Sequence, residues 1–116
     1  MKIKYEHFAN IVAVAFSDSK LTKEELELLG IRAKEYGLPQ DKVQQLIDNA
    51  KNLEFVIPMN QEEKEEQLSE AVLMSMIDGE ISPNEYDLCL RIAEKLGFDE
   101  NYLNYIIKLS KKLSDK

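Results

Sequence analysis

Apolar residues fall at helical intervals through almost the whole chain. Across residues 4–17, Phe8, Ile11, Val12, Ala15 and Phe16 recur every three or four positions, the spacing that puts side chains on one helix face. A polar turn follows, and Thr22 and Glu25 have the Thr-x-x-Glu spacing of a capping box, so a second helix is expected to begin near Lys23. Leu28, Leu29, Ala33 and Tyr36 form its inward stripe until Gly37, a residue free to take the left-handed conformation that ends helices. Pro39 sits where a first helical turn tolerates proline, and Val43, Leu46, Ile47 and Ala50 mark a third stripe.

The same order returns after residue 60. A helix is expected over about 61–77, then Ser82 as N-cap with Pro83 and Glu85 one and three positions on, then a core face of Leu88, Cys89, Ile92, Ala93 and Leu96 that stops at Gly97. A last helix is expected over about 99–113. An offset of 60 without gaps pairs Val12 with Val72, Asp18 with Asp78, Glu25 with Glu85, Leu28 with Leu88, Ala33 with Ala93 and Gly37 with Gly97. Apolar phase is kept at Phe8/Leu68, Phe16/Met76, Leu29/Cys89, Tyr36/Leu96, Leu46/Ile106 and Ile47/Ile107.

The pattern therefore predicts an all-α fold, a compact bundle of about six to seven helices from two pseudo-symmetric three-helix repeats within a single domain of residues 1–116. Repeat one covers about 4–52, an apolar connector 53–60, and repeat two about 61–113. Leu53, Phe55, Val56 and Ile57 are too apolar for a free linker, so the connector is expected to pack over the core.

Composition narrows the function more than the fold. The chain has 116 residues, 44% of them hydrophobic, and a net charge of −7. That charge repels phosphate backbones, and the lysines near the C-terminus (Lys108, Lys111, Lys112, Lys116) do not make a nucleic-acid face, because Tyr102 and Tyr105 beside them belong to an apolar periodic stretch. The longest unbroken apolar run, Ile11 to Phe16, is far short of the ~20 residues a membrane span needs, so an integral membrane protein is not expected. Glu6, His7 and Asn10 interrupt what would otherwise resemble a signal-peptide core, and Cys89 has no second cysteine to pair with. A cytoplasmic location is the expectation.

Candidate chemistry centres on two acidic loops. Asp78-Gly79-Glu80-Ile81-Ser82-Pro83-Asn84-Glu85 matches the last eight positions of an EF-hand loop, but the first and third ligand positions hold Met74 and Met76, and in the other repeat Val14 and Phe16. A standard calcium loop is excluded. Asp18 and Asp78 each follow a helix, where the negative end of the dipole disfavours a carboxylate unless a cation compensates. With Glu80, Glu85 and Glu25 they form hard-oxygen groups suited to calcium or magnesium rather than zinc. The structural alternatives are capping boxes for Glu25 and Glu85 and turn chemistry for Asp18 and Asp78. Ser19 and Lys20 replace Gly79 and Glu80 in the first loop and weaken it as a cation site. Cys89 reads as a buried inert thiol, Met74 and Met76 as core filler, and His7 as a surface or partly packed side chain, so no catalytic residue and no enzyme are expected.

Met76-Ile77-Asp78-Gly79-Glu80-Ile81-Ser82-Pro83-Asn84-Glu85, followed by Cys89 to Phe98, resembles the TerB-like family associated with tellurite resistance; Ala13 to Asp18 with Lys23-Glu24-Glu25 resembles its first half. The resemblance spans about residues 8 to 110. It implies an all-helical pseudo-twofold domain whose acidic surface, here Asp18, Glu25, Asp78 and Glu85, binds divalent metal. It also implies a place in tellurite, metal or envelope stress response and a protein partner, with a membrane-surface setting because a related domain is appended to a membrane-anchored J-domain co-chaperone. The leading expectation is a non-enzymatic interaction module; its alternative is a purely structural or regulatory protein-binding domain without a metal site.

Overall fold

The computed structural model describes residues 2–76 and 79–114. Among the described residues six α-helices follow one another: α1 (Tyr5–Ser17), α2 (Lys23–Glu35), α3 (Gln40–Asp48), α4 (Gln61–Ser75), α5 (Pro83–Lys95) and α6 (Glu100–Ser114). A single turn of 3-10 helix, Ala50–Asn52, follows α3, and there is no strand among the described residues. The all-α bundle is thus as the periodicity requires.

Local punctuation works as the residue types dictate. Thr22 and Ser82 each accept a hydrogen bond from the backbone N–H three residues on, while Glu25 and Glu85 accept from the cap backbone N–H, so both capping boxes close. α2 and α5 share a length of 13 residues, and their bounds differ by the repeat offset, 83 minus 23 and 95 minus 35. Both end alike. Gly37 and Gly97 adopt φ of 101° and 89°, and the N–H groups of Leu38 and Phe98 reach back to the carbonyls of Ala33 and Ala93. Pro39 stands one position earlier than expected, as the N-cap of α3 rather than inside its first turn.

α1 is the central helix: every residue from Asn10 to Ala15 is buried, and it packs against α2, α3, α4 and α5 as well as the 3-10 turn. Repeat-related pairs occupy comparable core positions, with Phe8/Leu68, Val12/Val72, Leu29/Cys89 and Ala33/Ala93 all at most 1% exposed. Met74 and Met76 are core filler, as expected. α2 and α3 approach closely at Gly30, where an added Cβ would come within 2.9 Å of Ile47 Cδ1; the second repeat has Leu90 at that place.

Three expectations about facing need correction. Phe16 is 58% and Leu28 40% exposed, while Leu26 takes the inward place on α2. Phe16 lies at the end of α1, where the core has already been closed by Val12 and Ala15. The connector packs over the core only through Leu53 and Phe55; Val56, Ile57 and Met59 are exposed, the last almost completely.

Candidate functional site

Among the described residues, Asp18, Glu25, Glu80 and Glu85 do not fall into one group whose carboxylates could share a cation. Asp18 forms an ion pair with Lys95 on α5 at 2.9 Å, and this contact holds its carboxyl below the ordinary range. The negative end of α1 is thereby compensated by an ammonium group of the other repeat. Glu25 caps α2 and also accepts a hydrogen bond from Asn84 at 2.9 Å; that bond, followed by those from Thr22, lowers its pKa. Glu85 is buried with its carboxylate in the α5 cap. Glu80 is exposed beside Gly79, which takes a positive φ of 81°. Asp78 lies outside the described residues. Asn84 therefore links the starts of α2 and α5, and the loop before α2 runs along α5, with Lys20 N–H donating to Asp87.

The most concentrated polar chemistry lies elsewhere, in the seam between α1 and α4. His7 is 1% exposed, which overturns its expected surface or partly packed position. Its Nδ1 lies 2.8 Å from Glu70 Oε2 and its Nε2 3.3 Å from Glu63 Oε1. Glu70 is itself 1% exposed, and its other oxygen accepts the backbone N–H of Lys4 at 3.2 Å. The Lys4 ammonium pairs with Glu66 at 3.3 Å. Neutral imidazole carries one N–H and one lone pair, so it satisfies only one of two facing carboxylates; imidazolium, with two N–H donors, satisfies both. Burial opposes that charge most strongly, but the Glu70 hydrogen bond and charge, joined by Glu63 and Glu66, outweigh it and raise the His7 pKa above its ordinary 6.5.

The seam continues through neutral groups. Gln67, fully buried, donates to the His7 carbonyl at 3.1 Å and accepts from Asn10 Nδ2 at 3.0 Å. Asn10 then clasps the connector: its Nδ2 donates to the Val56 carbonyl and its Oδ1 accepts the Val56 N–H, both at 2.9 Å. No buried side-chain nitrogen or oxygen among the described residues lacks a partner. Donor atoms of His7, Glu66 and Glu70 lie within 4.8 Å of one another, close enough to share a cation. Yet both His7 nitrogens and both Glu70 oxygens are already engaged, and the Lys4 ammonium pairs with Glu66. It is a hydrogen-bonded clamp.

The clamp forms one side of a groove of about 420 Å³ between α1 and the connector. Tyr5, Val56, Ile57 and Met59 expose apolar surface along it, and Glu6, Glu54 and Glu63 stand among its walls. A second hollow of about 320 Å³ lies beside Phe16 and Leu21. Cys89 is fully buried, with its thiol 3.5 Å from the Ser75 hydroxyl, and burial pushes its pKa to about 12, so it is inert as expected.

Sequence reasoning missed the clamp because its partners lie 63 and 56 residues apart. A signal was present: Glu63, Gln67 and Glu70 repeat at helical spacing, and His7 and Asn10 are three apart within the most apolar stretch of the chain. No protein family, no curated protein and no solved structure matches this chain. No described helix is long and apolar enough to cross a membrane.

Proposed function

We propose that this chain is a TerB-like, non-enzymatic protein-interaction module that takes a basic partner segment with an apolar anchor into the groove along the connector. The observation that carries the reading is the connector itself. Val56, Ile57 and Met59 are 71%, 54% and 98% exposed, although the neighbouring Asn10 contacts hold Val56 in one place. Apolar side chains kept exposed on a pinned backbone are the usual mark of a contact surface. The acidic walls at Glu6, Glu54 and Glu63, on a chain of net charge −7, favour lysine or arginine around the anchor. A place in tellurite or envelope stress response follows from the sequence resemblance. Divalent-cation binding at the acidic loops does not carry this reading, since Asp18, Glu25 and Glu85 have protein partners.

The test uses a twelve-residue peptide with one leucine pair flanked by lysines, titrated into the labelled protein and followed by amide shifts. Shifts should concentrate at residues 5–10 and 53–59 and vanish in a Val56→Asp/Met59→Asp variant. Equal binding of a glutamate-flanked peptide, or shifts confined to another face, would overturn the reading.

A further inference from the structure

We propose that His7 is a proton-operated latch: as imidazolium it ties α1 to α4, and through Gln67 and Asn10 it sets how firmly the connector at Val56 is held. This goes beyond the docking reading and stands without it.

The argument begins with valence. Two carboxylates from one helix, Glu63 and Glu70, approach the two nitrogens of one imidazole, and that arrangement is complete only when both nitrogens carry hydrogen. Loss of the proton leaves a lone pair aimed at a carboxylate oxygen on a ring that is only 1% exposed. One of the two contacts must then open. Every charged or titratable group facing this point pushes the same way or is already used. From α4 come Glu63, Glu66 and Glu70; from the segment before α1 comes Lys4, engaged with Glu66 and Glu70; Tyr5 and Glu6 of α1 and Glu54 of the connector line the adjoining groove. Three carboxylates against a single ammonium favour the protonated ring.

Transmission needs no long route. Gln67, one turn before Glu70 on α4, holds the carbonyl of His7 itself and the amide of Asn10, and Asn10 holds both backbone polar groups of Val56. A shift of α1 against α4 at His7 strains each of these bonds in turn. The connector has no other described side-chain hydrogen bond to its backbone, so the Asn10 clasp is what the shift would loosen.

The sign follows. A histidine whose folded pKa is raised contributes stability that is complete below the unfolded value near 6.5 and is lost as pH rises through the folded value. The latch is closed in mild acid and opens towards alkaline pH.

His7 is the sole histidine, so its ring resonances are unambiguous. The experiment follows them by NMR from pH 5 to 9 while recording hydrogen exchange at the Val56 amide. The expected result is a midpoint above 6.5 and Val56 exchange, corrected for its intrinsic pH dependence, that accelerates several-fold with the same midpoint. Glu63→Gln, which alters a partly exposed residue and keeps the Glu70 contact, should lower the midpoint without unfolding the protein. A ring that titrates at or below the ordinary value, a Val56 amide indifferent to that titration, or an unchanged midpoint in Glu63→Gln would each overturn the latch. None of these outcomes depends on whether a basic peptide enters the groove.

Discussion

Replacing Asn10 with alanine is the sharpest test of how the connector is held. The side chain is 3% exposed and joins three partners: the N–H and carbonyl of Val56 and Oε1 of Gln67. Truncation orphans the Gln67 oxygen inside the protein, which costs roughly 1–3 kcal/mol. The two bonds to Val56 contribute about 0.5–1.5 kcal/mol each, but the exposed connector regains part of this from water. Alanine returns about 0.5 kcal/mol in helix propensity. The net loss is therefore about 2–4 kcal/mol, a large share of the roughly 5–15 kcal/mol that holds a domain of this size together. Urea denaturation of both proteins, monitored by circular dichroism, measures it, with an unchanged m-value showing that the native core is retained. Hydrogen exchange at residues 53–57 should accelerate by more than global destabilisation explains. A loss under about 0.5 kcal/mol would show that water replaces the amide without cost and that the seam does not position the connector.

Other consequences are simpler to state. Leu88→Ala removes a fully buried side chain and should cost about 2–5 kcal/mol, whereas Leu28→Ala, its repeat counterpart at 40% exposure, should cost under about 1 kcal/mol; equal losses by thermal denaturation would contradict the burial described. Ser82→Ala opens the α5 capping box and should cost about 1 kcal/mol in urea titrations, partly restored by Ser82→Asp, which is itself a good cap. Cys89, its pKa near 12, should react with a thiol reagent at neutral pH only as fast as the protein unfolds, so labelling in native buffer within seconds would contradict its burial.

The helices, their starts and their stops were legible because they depend on residues within one or two turns of each other. Thr22 with Glu25, Ser82 with Glu85, and the glycines at 37 and 97 act over three to five positions, and the structure uses each of them as the spacing requires. The offset of 60 likewise located the equivalent core pairs Phe8/Leu68 and Val12/Val72. Facing was less legible at the margins. Phe16 and Leu28 fit a helical stripe as well as their buried neighbours do, and only the finite width of the core leaves them outside.

What the tertiary structure alone decided is where the polar residues of the interior find partners. His7 and Asn10 interrupt an apolar segment, and Glu63, Gln67 and Glu70 recur at helical spacing on the expected helix 61–77. Docking α4 against α1 turns those two stripes towards each other, and a buried hydrogen bond or ion pair is stable only when both members arrive together. The spacing within each stripe is visible locally, but the pairing between segments about sixty residues apart is not, because neither stripe carries the geometry of the other. Sequence by itself determined the helices, their caps and their repeat; packing chose which carboxylates pair with lysine and which hold the one histidine.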